Sequence, residues 1–142
     1  MSTRAYLPTF AELVDRLTIV QQKAIFIPEK KADYTAEMGL IMQDIDAILT
    51  EKSHVLKAAD IRAVAAVMLA NHAIWNSESK ARAGGSDQDK LLKFTHSING
   101  VRNRAKNALA ASIGERLDHK TDCFAAELVE EFGNWNIFED QV

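Results

Sequence analysis

Residues 60–82 read DIRAVAAVMLANHAIWNSESKAR, and this stretch decides the fold class. It is helix-grade and apolar on nearly every face until Trp75. A helix that is apolar all round is expected at the centre of a protein, so the polar groups set into it, Asn71 and His72, must find partners inside. Its start lies either near His54 or at Asp60, with Asp60 then serving as N-cap. Its end is set by Ala83-Gly84-Gly85, whose permissive backbone suits a C-cap.

On the C-terminal side, Ser86 with Asp89 three residues on opens a second long helix. Leu91, Phe94, Ile98, Val101, Ala105 and Ala108 form its apolar line, while Lys90, Lys93, Asn103 and Lys106 fall largely elsewhere. Gly100 inside this helix costs roughly 1 kcal/mol against Ala, which implies close approach of another helix. Gly114 bends or ends it. ERLDHKTD then connects to a short last helix at Asp122–Phe132, stopped by Gly133, and the tail carries Trp135, Ile137 and Phe138, side chains expected to dock on the bundle or on a neighbouring subunit.

On the N-terminal side, Thr9-Phe-Ala-Glu12 has the spacing of a capping box. Phe10, Leu13, Leu17, Val20, Ala24 and Ile27 recur at three and four residues until Pro28. A polar connection, PEKKADY, leads to Met38, Ile41, Ile45 and Ile48, with Thr35 as cap and Glu51-Lys-Ser as exit. A weak internal repeat sets residues 20–29 against 69–78, matching Gln22 to Asn71, Phe26 to Trp75 and Glu29 to Glu78. No segment alternates with period two, so no sheet is assigned. The expectation is an all-α fold in one domain, 1–142: a four-helix bundle of two antiparallel helical hairpins, 9–51 and 54–112, followed by a short fifth helix and docked aromatic tail, 122–142.

Composition narrows the class. A chain of 142 residues with 47% hydrophobic and 26% charged side chains is an ordinary globular domain. Its net charge of −3 gives no electrostatic footprint for nucleic acid or an anionic membrane, and neither is expected as a partner. The single cysteine, Cys123, makes no internal disulfide and reads as a structural thiol in a reducing compartment. The N-terminus lacks a continuous apolar stretch, and Arg62 and Asn71 interrupt the most apolar run, so a soluble, cytoplasmic protein is expected.

Polar residues on the two long helices are the candidate site. Asn71, Trp75, Glu78 and Arg82 follow four-, three- and four-residue steps, which puts an amide, an indole, a carboxylate and a guanidinium on one helical face. Asn99, Arg102 and Asn103, with Lys106, form a second polar line. If the faces meet, Glu78 holds Arg102 and the asparagines bond across the seam. The simpler reading is a network that fixes helix register. The ligand reading uses Arg82 or Arg102 for an anion, Asn71 and Asn103 for hydroxyls, and Trp75 for stacking. Glu12-Leu-Val-Asp15 has the carboxylate spacing of helical pyrophosphohydrolases, yet no second pair is evident to complete a magnesium site. His54, His72, His96 and His119 show no paired ligand spacing, so no metal and no cofactor is expected. Gly84-Gly85-Ser86 lacks the Walker lysine, and no nucleophile elbow is present.

Glu12-Leu-Val-Asp-Arg-Leu-Thr-Ile19 followed by Lys23, then Asn71-His-Ala-Ile-Trp75 with Glu78 and Arg82, then Ile98-Asn-Gly-Val-Arg-Asn-Arg104, resembles small helical protein families of unknown function from bacteria and their phages. Those families carry an ELxDRLTI block and an N..LW..E..aR…N..RN block. The chain departs from the pattern at His72-Ala73 and at Ser79, where an acidic residue commonly follows the glutamate. The resemblance implies an all-α fold and a shared polar patch at Glu12, Asp15, Arg16, Asn71, Trp75, Glu78, Arg82, Asn99, Arg102 and Asn103. It implies no reaction. The expected function is a non-catalytic binding or assembly protein forming a homo-oligomer through the polar seam between the third and fourth helices and the aromatic tail. The alternative is a small all-α hydrolase or transferase acting on a phosphorylated, nucleotide or sugar-like ligand, with Glu78 or Glu12 and Asp15 as carboxylates.

Overall fold

The computed structural model describes residues 3–85 and 87–118. It consists of α1 (Phe10–Phe26), α2 (Lys31–Glu51), α3 (Ala58–Arg82) and α4 (Gln88–Ile113), with one short 3-10 turn, Pro28–Lys30, between the first two. The described residues contain no strand. The fold is therefore all-α. The expected helix at Asp122–Phe132, Gly133, the tail with Trp135, Ile137 and Phe138, and Cys123 lie outside the described residues, as does the Ser86 cap.

Local chemistry sets the helix ends. The Glu12 N–H donates to Thr9 Oγ1 at 3.2 Å and the Thr9 N–H donates to Glu12 Oε2 at 3.1 Å, so the capping box forms as its spacing predicts. A further donor of the first turn that the helix itself leaves without an acceptor, the Phe10 N–H, is satisfied from far along the chain by the Glu115 carboxylate, at 3.1 and 3.2 Å. Between α1 and α2 the connection is shorter than PEKKADY suggests. Pro28 opens the 3-10 turn, where its fixed φ fits and no N–H is needed, and α2 starts at Lys31 with Asp33 in its first turn. Thr35 is thus inside the helix, donating its hydroxyl to the Lys31 carbonyl at 2.8 Å rather than capping.

The start of α3 falls between the two alternatives. Asp60 is the third helical residue, and its carboxylate reaches back to accept the Lys57 N–H at 2.9 Å and meets His54 Nε2 at 3.1 Å. At the other ends, Gly84 at φ +82° follows α3 and Gly114 at φ +76° caps α4, both in the left-handed region that glycine enters without strain.

Contacts define the helix directions. α1 runs antiparallel to α2, since Arg16 meets Glu37 and Lys23 lies over Tyr34, and parallel to α3, since Thr18 meets Asn71 and Phe26 meets Trp75. α4 is antiparallel to both, pairing Lys106 with Asp15 of α1 and Thr95 with Ser77 of α3. Phe10, Ala11 and Val14 of α1, Val67 of α3, and Ala105, Leu109, Ala110 and Ile113 of α4 make the core, with Ile45, Ile48 and Leu49 of α2 packed against its edge. Full burial of side chains such as Phe10, Val67 and Leu109 contributes about 1.5–3 kcal/mol each.

Three sequence expectations are corrected here. α3 is not covered all round: Val67 is fully buried, but Ile61 is 62% and Leu69 71% exposed. The cause is the position of α2, which lies along α1 and leaves the outer side of α3 without another of the described helices over it. The buried line of α4 is rotated from the apolar one, because Phe94, Val101 and Ala108 are exposed while Lys106 is buried, its ammonium held by carboxylates. Gly100 has no close neighbour, since a Cβ built there meets nothing within 4 Å. None of the described helices is long and apolar enough to cross a membrane.

Candidate functional site

Two polar assemblies lie along α3, one closed and one open. The closed one is a seam through the middle of the molecule, centred on Asn71, which is only 4% exposed. Its Nδ2 donates to Asp15 Oδ1 at 2.7 Å and to Thr18 Oγ1 at 2.8 Å, both on α1, and its Oδ1 accepts from Arg102 Nη1 of α4 at 3.0 Å. The Thr18 hydroxyl in turn donates to the Asp15 carbonyl at 2.8 Å. Lys106 lies one turn along α4, its Nζ 3.6 Å from Asp15 and 3.7 Å from Asp118. Two cations thus face two carboxylates, and the buried charge is close to balanced. Arg102 Nε and Asn103 Oδ1 are buried without a hydrogen-bond partner, a cost the seam carries.

The open assembly is a cleft of about 370 Å³ further along α3, lined by Ile19 and Lys23 of α1 and by Trp75, Glu78, Ser79 and Arg82. A second cleft of about 420 Å³ adjoins it toward α4, shares Glu78 and Arg82, and adds Gln88, Asp89 and Leu92 among its walls. Among the described residues, the side chains of Lys23, Glu78 and Arg82 make no ion pair and no hydrogen bond. Behind Trp75 stands Phe26, with ring centroids 6.1 Å apart, and Phe26 stacks in turn on His72 at 5.9 Å. His72 is exposed rather than set into the core, and meets Gln22 at 3.3 Å and Asn76 at 3.2 Å.

The candidate residues therefore divide. Asn71 and Arg102 join the seam, whereas Trp75, Glu78 and Arg82 line the cleft. Glu78 does not hold Arg102, because the guanidinium turns to Asn71 instead. Asn99 and Asn103 are half-buried on α4 and line neither cleft. Glu12, Asp15 and Arg16 do not act together: Glu12 caps α1 and lies 3.6 Å from Arg116, Asp15 enters the seam, and Arg16 pairs with Glu37 on the surface at 2.8 Å. No group of three or more His, Cys, Asp or Glu side chains is gathered to hold a metal among the described residues. The sequence reading set Lys106 in the second polar line but missed its burial, and Thr18 and Lys23 were noticed only as part of the resemblance. The signal for Lys23 is its position two turns beyond Arg16 on a face of α1 that is not apolar.

One further ionic cluster is structural. Asp60, 4% exposed, accepts the Lys57 N–H and bonds to Ser112 of α4 and to His54, and these contacts, the backbone donor first, hold its carboxyl below the usual 3.8. A third depression, about 440 Å³, runs between α2 and α3 over α1. Leu17, Gln21, Met38, Met42, Val64 and Met68 are among its walls, and none of its lining residues is charged.

Compared with models of known families, with curated proteins and with solved structures, the chain matches none. The all-α fold and its sites stand on their own geometry.

Proposed function

We propose that the protein is a non-catalytic helical binding and assembly protein of the cytoplasm, and that it joins copies of itself through the groove between α2 and α3. The observation that carries this reading is the uncharged groove itself, flanked on α3 by Ile61 and Leu69, which are among the most exposed apolar side chains described. A ridge and a groove side by side make a self-complementary surface, the requirement of a twofold contact in which the ridge of one copy enters the groove of the other. Three methionines, Met38, Met42 and Met68, give the groove walls that adapt to an inserted side chain. The seam supports the same reading from the other side: its charges are engaged with one another and serve helix register, not substrate chemistry.

The test is the oligomeric state by sedimentation velocity across a concentration series, for the native chain and for Met68→Glu and Leu69→Glu. Both positions are solvent-accessible, so circular dichroism should show folded variants. The native chain is expected to associate, and each variant to shift to monomer. A native chain that stays monomeric at the highest concentration would refute the reading.

A further inference from the structure

We infer that the cleft between α1 and α3 binds a small phosphorylated molecule bearing a planar ring, of the nucleoside monophosphate class. The charge pattern comes first. Lys23 and Arg82 bring two cations from different helices to a cavity in which Glu78 is the only carboxylate among the described lining residues, which leaves an excess of one positive charge there for an anion. Glu78 and Arg82 stand four residues apart on α3, the spacing at which helical residues pair, yet no ion pair joins them. Arg82 keeps its planar fork of donors for a phosphate, and the Lys23 ammonium adds a point charge from the facing helix.

The ring follows from Trp75. Its indole lines the cavity, and the row formed with Phe26 and His72 fixes its position from behind, so the platform exists before a ligand arrives. Glu78, at the junction of the two clefts, is placed to accept from sugar hydroxyls between the anion and the ring. At about 370 Å³ the cavity falls at the small end of ligand pockets, which favours a monophosphate over a larger cofactor. The contrast with the seam is the decisive point. There every charged side chain is hydrogen-bonded or ion-paired, whereas here, among the described residues, Lys23, Glu78 and Arg82 make neither, Lys23 having only the Tyr34 ring 6.0 Å from its ammonium.

Isothermal titration of the full chain with AMP, adenosine, ribose 5-phosphate and inorganic phosphate tests the assignment, with thermal melts of each variant as a folding control. AMP is expected to bind at least about tenfold more tightly than adenosine or phosphate alone, since both ends of the ligand contribute. Lys23→Gln and Arg82→Gln are each expected to weaken AMP about tenfold, with Lys23→Arg retaining most of the affinity. Trp75→Leu should bring AMP down to the level of ribose 5-phosphate. No heat with AMP, equal affinity for AMP and ribose 5-phosphate in the native chain, or AMP affinity unchanged in a folded Lys23→Gln/Arg82→Gln double variant would each overturn the inference. None of these outcomes depends on whether the chain self-associates.

Discussion

Replacing Asn71 by Leu removes the centre of the seam while keeping side-chain volume nearly constant. Three hydrogen bonds disappear, two of them to the charged partners Asp15 and Arg102. A net hydrogen bond to a charged group is worth about 1.5–3 kcal/mol and a neutral one about 1 kcal/mol, which sets a ceiling of about 4–7 kcal/mol. Two features lower it. Asp15 retains Lys106, and Thr18 retains the Asp15 carbonyl, so the main orphan is the Arg102 guanidinium. The expected loss is about 3 kcal/mol, equivalent to about 10 °C in Tm for a chain of this size. Urea unfolding is the assay: the midpoint should fall by about 1.5 M at unchanged slope. A double-mutant cycle with Arg102→Met then isolates the Asn71–Arg102 term, expected at about 1–2 kcal/mol of coupling. A loss under about 1 kcal/mol, or strict additivity in the cycle, would refute the view that this seam holds α1, α3 and α4 in register.

Gly100→Ala should stabilise the chain by about 1 kcal/mol, because the new methyl group meets nothing within 4 Å and helix propensity improves; a lower melting temperature would count against the placement of α4. Glu115→Ala should cost about 1–2 kcal/mol by leaving the Phe10 N–H without its acceptor, and loss of hydrogen-exchange protection at the start of α1 should accompany it. For Asp60 the sign follows from its depressed carboxyl. Its contribution is complete above the unfolded value of about 3.8 and is lost as pH falls below that toward the folded value. Thermal melts of native chain and Asp60→Asn should therefore differ at neutral pH and converge under acid, and a gap constant across pH would contradict the assignment.

What the sequence discloses is mainly local. The Thr9–Glu12 box and the glycines at 84 and 114 are read correctly because their physics is complete within a few residues. The misreadings share a different origin. The outer face of α3 looks buried from composition alone, but burial depends on where α2 settles, and α2 settled along α1. Lys106 looks like a surface lysine until Asp15 and Asp118, distant in sequence, are brought to its ammonium. The same limitation divided the candidate site. Asn71, Trp75, Glu78 and Arg82 share a stripe on paper, yet α1 crosses α3 so that Asp15 closes one end of the stripe while Lys23 leaves the other end open.

The carboxylate of Glu115 at the start of α1 has a consequence for biosynthesis. The donor at Phe10 and its acceptor are 105 residues apart, and a ribosome adding about 5–20 residues per second needs on the order of 5–20 s to cover that distance. For that interval α1 carries only the Thr9–Glu12 half of its cap. Closure of this cap therefore waits until the turn after α4 has been made and comes back to fasten the start of α1.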